Sequence, residues 1–225
     1  MSITDLGSYY GFTRTPFGKN LAPGMLHRYR GHAEAVARLR WCIEEKNLSV
    51  ITGEVGAGKT VAVRAAVADL DASRHTIVYL ANPATGTRGL YSGIVTALGG
   101  IPRFHKANLI PQTTTLLAAE EHERGRHVVV ICDEAHLLDT DQLEELRLLT
   151  NLDMDSASPF AAILIGQPTL RRRIKLGAFA ALDQRIAVRY HLPGMDREET
   201  AGYITHHLTL AGRSDPLFSV MRISA

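Results

Sequence analysis

Leu48-Ser49-Val50-Ile51-Thr52-Gly53-Glu54-Val55-Gly56-Ala57-Gly58-Lys59-Thr60 decides how the rest of the chain is read. Its first five residues form a short, largely apolar and β-branched run, the pattern of a strand buried on both faces. Gly53 to Thr60 then match GxxxxGK[ST], followed at once by a segment of helical period. The glycines allow successive backbone N–H groups of Gly53, Glu54, Val55, Gly56, Ala57 and Gly58 to turn inward around phosphate oxygens. The helix that starts near Gly58 adds its positive dipole end. Lys59 is placed to reach β- and γ-phosphates, and the Thr60 hydroxyl offers one oxygen to Mg²⁺. The expected ligand is ATP with its Mg²⁺.

Outward from this loop the chain alternates strand and helix. Apolar runs at 48–52, 75–81, 127–132, 160–166 and 186–192 read as strands, most of them covered on both faces. Helical periodicity fills 34–46, 59–70, 89–98, 113–123, 141–151, 168–176 and 196–210. Parallel strands need crossover helices, so this order predicts a three-layer α/β/α P-loop NTPase with a mostly parallel five-stranded sheet. At about 150 residues per domain, 225 residues hold one full domain and a small appendage. Residues 1–30, rich in glycine and proline, read as an irregular arm, 31–193 as the ATPase core, and 194–225 as a partial helical lid after the Pro193-Gly194 turn.

The strand at 127–132 ends in Asp133-Glu134, two carboxylates that a core strand does not need. At the carboxyl edge of a parallel sheet, where ligands of open α/β folds bind, Asp133 can hold Mg²⁺ through its water shell. Glu134 is then free to orient and polarise a water for in-line attack on the γ-phosphorus. A complete strand lies between Lys59 and Asp133, so the loop strand and the acidic strand are not consecutive. That arrangement resembles the additional-strand, catalytic-glutamate division of P-loop ATPases, with 160–166 expected between the two. The 160–166 strand delivers Gln167 to the same edge, either as a sensor of the γ-phosphate or attacking water or as a turn residue before Pro168. Arg185 and Arg189 flank the start of the last strand. Arg185 is the preferred finger for a neighbouring subunit's site, and Arg189 has an ion-pair role as its alternative.

Composition narrows the partners. With 45% hydrophobic and 21% charged residues the chain can bury a core, and its net charge of +2 means that nucleic acid would need a local basic patch. Arg171-Arg172-Arg173-Ile174-Lys175 is the densest such cluster and reads either as a duplex DNA contact or as a solvated helix face. No basic leader precedes an apolar segment and no run is long enough to span a bilayer, so a cytoplasmic protein with no membrane contact is expected. Cys42 and Cys132 lack ligand spacing and read as buried thiols. His122-Glu123-Arg124-Gly125-Arg126-His127 has one residue too many for a zinc helix motif. Asp153-Met154-Asp155 lacks the glycine and terminal glutamate of a calcium loop.

Taken together the chain resembles the AAA+ ATPases of the ORC/ExeA-like group, which includes secretion ATPases and the ATPase subunits that accompany transposases in bacterial mobile elements. The resemblance rests on Tyr10-Gly11-Phe12, Pro16-Phe17, the 32–39 segment, Gly53–Thr60 and Asp133-Glu134-Ala135-His136. It continues through Ile165-Gly166-Gln167-Pro168, Gln184-Arg185-Ile186 and Tyr203-Ile204-Thr205-His206-His207-Leu208. It implies adenine contacts near Phe17 and His32, homo-oligomers, and a transposase or duplex DNA as partner. Alternatively it implies a secretion ATPase domain, or a scaffold that binds nucleotide and hardly hydrolyses it. Relatives of this kind continue into further lid helices with a second sensor arginine, so the resemblance implies a truncated lid and weaker nucleotide handling.

Overall fold

The structure, a computed structural model, describes residues 3–18, 21–81, 85–151, 158–215 and 217. The Asp153–Asp155 near miss and the last residues of the expected lid lie outside these. Five strands, β1 (Leu48–Thr52), β2 (His75–Leu80), β3 (His127–Cys132), β4 (Phe160–Gly166) and β5 (Ile186–His191), form one sheet in the order β2-β3-β4-β1-β5. Every pairing is parallel, and β4 lies between the loop strand β1 and the acidic strand β3, as the sequence predicts.

Alternate residues of the central strands feed two apolar layers, the consequence of the period-2 pleat. Val50, Val130, Ala162 and Leu164 face one layer; Ile51, Val129, Ile131, Ile163 and Ile165 face the other. The second layer is covered by α2 (Arg30–Glu44) and α3 (Lys59–Ala68), through Leu39, Ile43, Val63 and Ala66. The first is covered by α4 (Gly86–Ala97), α5 (Lys106–His122), α6 (Thr140–Leu149), α7 (Pro168–Ile174) and α8 (Ala180–Arg185). β1 and β4 are buried at every position, whereas β2 buries Val78 alone and β5 alternates buried Ile186 and Val188 with exposed positions. These two are the sheet edges, so the expectation of strands covered on both faces fails for them.

Two helices start on reciprocal caps, Asp139 with Gln142 for α6 and Asp196 with Glu199 for α9 (Arg197–Leu210). α5 departs from expectation. Its helix begins seven residues before 113 and carries Pro111 in its interior, at the cost of one backbone donor. The face that buries Leu109, Thr113 and Leu117 packs against the core and outweighs that loss. The N-terminal arm is not wholly irregular: α1 spans Ile3–Tyr10. Beyond it, Thr13 donates both its N–H (2.8 Å) and its hydroxyl (3.0 Å) to Ala211 O, Arg14 Nε donates to Leu210 O at 2.7 Å, and Arg213 donates back to Tyr10 O at 2.9 Å. The arm is therefore clasped to the end of α9.

Candidate functional site

β1 ends at Thr52 and the chain turns through Gly53–Gly58 into α3. Gly53 is required by packing: a Cβ there would lie 2.7 Å from Leu192 O, where the end of β5 crosses the loop. Gly56 and Gly58 adopt φ of +84° and +82°, conformations that favour glycine. The loop is buttressed from below by Tyr29, 6% exposed, whose hydroxyl donates to Ala57 O at 2.9 Å. Lys59 Nζ donates to Gly53 O (2.9 Å) and Glu54 O (2.8 Å), so its ammonium spans the mouth of the loop.

Thr60 and Asp133 converge. The Thr60 hydroxyl donates to Asp133 Oδ2 at 3.2 Å, the Tyr79 hydroxyl donates to the same oxygen at 2.7 Å, and Oδ1 accepts the Glu134 N–H at 2.9 Å. Burial and this bond to Asp133 push the Tyr79 phenol up to about 12. Asp133 is 8% exposed, and among the described residues no cationic side chain pairs with it. A buried carboxylate without a cation, beside a helix-start hydroxyl, is a hard-oxygen donor set that suits Mg²⁺. Among the described residues no group of three His, Cys, Asp or Glu side chains gathers to hold a metal by itself.

Glu134 follows in the left-handed region at φ 51°, with its side chain 53% exposed. Strain of this kind at a polar residue persists where the surroundings hold it. The turn after it is held by Arg173, whose guanidinium donates to His136 O (3.0 Å) and Leu138 O (2.7 Å) and lies over the Phe179 ring. His136 Nδ1 approaches Glu134 Oε2 at 3.2 Å without hydrogen-bonding alignment. β4 brings Gln167 to this edge as the N-cap residue of α7; a Cβ on Gly166 would lie 3.1 Å from His136 N, so the two turns are in close contact.

Phe17 and His32 line one cavity of about 700 Å³ that opens from the loop glycines toward α9. Phe17 stacks on His207 with ring centroids 5.2 Å apart. His32 is 2% exposed, neither ring nitrogen makes a hydrogen bond, and burial holds its imidazole below its ordinary value. Burial also lowers His207, with His206 and His27 adding repulsion.

Arg185 is not part of this cluster. It ends α8 at the amino edge of β5, and six residues of strand at about 3.3 Å each put it roughly 20 Å from the loop edge. Arg189 is bound to Asp183 Oδ1 at 3.0 Å and to Ile186 O at 2.7 Å, the ion-pair alternative considered for it. The basic run divides: Arg171, Arg172 and Lys175 are exposed, whereas Arg173 is turned inward. Tyr29, Tyr79 and Arg173 were not legible as site residues. Each is brought there by a contact distant in sequence.

No helix among the described residues is long and apolar enough to cross a membrane. The General secretion pathway protein A of Aeromonas hydrophila is 32% identical over 219 residues, covering 94% of this chain and 39% of that protein, so the chain spans about two fifths of this curated relative. Among solved structures, the Aeropyrum pernix ORC2 protein in ADPNP–ADP complexes matches with TM-score 0.65 at 21% identity over 86% of this chain and 55% of that one. Cdc6p from Pyrobaculum aerophilum matches with TM-score 0.68 at 15% identity, over 92% and 56% respectively. These structural likenesses show the fold, a three-layer α/β/α P-loop NTPase. A family model described as an AAA domain matches residues 43–174, which run from the last two residues of α2 through the glycine loop and the acidic strand to the end of α7. With that match covering more than half of its length, the chain belongs to the AAA domain family.

Proposed function

We propose that this chain binds and hydrolyses ATP with Mg²⁺ and that nucleotide binding assembles copies of it. The observation that carries this reading is the convergence, on one sheet edge, of the phosphate loop, Thr60 and an uncompensated buried Asp133, with an exposed Glu134 beside them. In this reading residues 1–30 form the arm, 31–193 the ATPase core and 194–225 a partial lid. Gly53 to Gly58 donate backbone N–H groups to the phosphates, and Lys59 exchanges its two loop carbonyls for phosphate oxygens. Thr60 and Asp133 would hold the Mg²⁺, which would supply positive charge to offset that of the phosphates. Glu134 orients a water against the γ-phosphorus and accepts its proton as the new P–O bond forms and the bond to the bridging oxygen breaks. Gln167 hydrogen-bonds that water or the γ-phosphate, and the base lies in the cavity beside Phe17 and His32.

The position of Arg185, roughly 20 Å from its own loop by strand length, supports a role in the site of a second copy, which would couple hydrolysis to assembly. A DNA-associated regulator of a transposase is the function we assign to such an assembly. The 32% identity to a general secretion pathway protein favours a second reading, the ATPase domain of a secretion protein.

ATP turnover of the purified protein, with and without duplex DNA and beside Glu134→Gln, tests the proposal. DNA-stimulated turnover that the variant abolishes while retaining nucleotide supports the DNA-linked ATPase. Turnover indifferent to DNA favours the secretion reading, and turnover equal to that of the variant refutes hydrolysis in favour of a scaffold.

A further inference from the structure

Asp133 carries a negative charge in a nearly closed position, so its usefulness to a metal depends on what fixes its carboxylate. Three donors do so. The Glu134 N–H takes Oδ1 at 2.9 Å, while Oδ2 receives the Thr60 hydroxyl at 3.2 Å and the Tyr79 hydroxyl at 2.7 Å. Thr60 is itself a candidate metal ligand, since its hydroxyl can donate its proton to Asp133 while an oxygen lone pair is offered to the ion. Tyr79 has no such second duty. It stands on the edge strand β2, in register with Ile131 of β3, two positions before Asp133. Its ring is 50% exposed and belongs to neither apolar layer, so core packing does not account for it.

We propose that Tyr79 is a positioning residue for the Asp133 carboxylate: its phenol holds Oδ2 in the orientation that serves Mg²⁺. The inference rests on the reading of Thr60 and Asp133 as the metal-holding pair. Groups that orient metal ligands are worth about ten- to a hundredfold in metal affinity, and the shorter of the two hydroxyl bonds to Oδ2 is the one from Tyr79.

The test uses Mn²⁺ as the probe. The full chain is titrated with Mn²⁺ in the presence of ADP, and free Mn²⁺ is read by electron paramagnetic resonance. Tyr79→Phe keeps the ring and deletes the hydroxyl; Tyr79→Leu deletes both and guards against an effect of the ring alone. Both variants are expected to bind Mn²⁺ about ten- to a hundredfold more weakly, while their ADP affinity in EDTA equals that of the wild type. Wild-type Mn²⁺ affinity in either folded variant overturns the assignment and leaves the metal site intact. A matching loss of ADP affinity in EDTA also overturns it, because Tyr79 would then shape the nucleotide pocket. If the wild type itself shows no ADP-dependent Mn²⁺ binding, the reading of Thr60 and Asp133 fails first and the assignment with it.

Discussion

Replacing Arg173 by alanine should damage the fold, although Arg173 sits in a run of basic residues that looks like a solvated surface. Its guanidinium makes two hydrogen bonds to the carbonyls of His136 and Leu138 and lies 5.8 Å from the Phe179 centroid. A hydrogen bond with one charged partner contributes about 1.5–3 kcal/mol net. Because the site is only partly buried, water can replace part of what is lost, so we expect a destabilisation of about 2–4 kcal/mol. With a urea m-value of about 3 kcal/mol/M for a chain of this size, the unfolding midpoint should fall by roughly 1 M. Arg171, exposed on the same helix, is the internal control: its alanine variant should lie within about 0.5 kcal/mol of wild type. The assay is urea unfolding followed by circular dichroism, with m-values compared to detect a change in the unfolded state. Equal midpoints for the two variants would refute the reasoning, because they would mean that the turn after Glu134 holds itself without Arg173. Arg173→Lys should recover part of the loss, since both carbonyls are reached by the one nitrogen Nη1 and an ammonium also carries three donors.

Three further outcomes follow from the same geometry. Gly53→Ala places a Cβ 2.7 Å from Leu192 O, so it should cost about 1–3 kcal/mol in thermal unfolding and weaken nucleotide binding; a variant with wild-type melting would show that β5 yields freely there. His32 and His207 are both held below their ordinary value, chiefly by burial. As pH falls through about 6.5 the unfolded chain therefore takes protons before the fold does, and stability should drop between roughly pH 7 and 5 by up to about 1.4 kcal/mol per pH unit per histidine. His32→Gln should flatten that slope, and an unchanged melting temperature across the range would contradict it. Finally, Arg185→Ala and Glu134→Gln should each be inactive alone yet regain ATP turnover when mixed, because an intact site in one copy would meet an intact arginine from the other. No recovery on mixing, with both proteins folded, would rule out action between copies.

Much of this protein was legible before its fold. The boundaries of β1, β3 and β4 and the glycine turn that leads into α3 follow from local chemistry: a buried run, glycines where positive φ is needed, and a lysine and threonine at a helix start. The acidic pair at the end of β3 followed as well, because two carboxylates after an apolar strand have no core use. Less was legible where tertiary contact outvotes local signal. Pro111 stays inside α5, on its exposed side, because the opposite face of the helix is buried through Leu109, Thr113 and Leu117, and α1 lay in an arm whose glycines and prolines suggested irregular structure.

The division is physical. Sequence by itself determined the five strands, most of the helices and the residues whose chemistry depends on neighbours within one turn, since glycine conformation, strand pleat and helix capping act over a few bonds. Only the tertiary structure decided that the edge-strand Tyr79 meets Asp133, that Tyr29 props the loop at Ala57, that Arg173 leaves the basic surface to hold the turn after Glu134, and that Arg185 stands at the far edge of the sheet from its own loop. Those relations depend on which strands lie side by side and on which way a side chain is turned by packing, and both are set by burying the whole core at once.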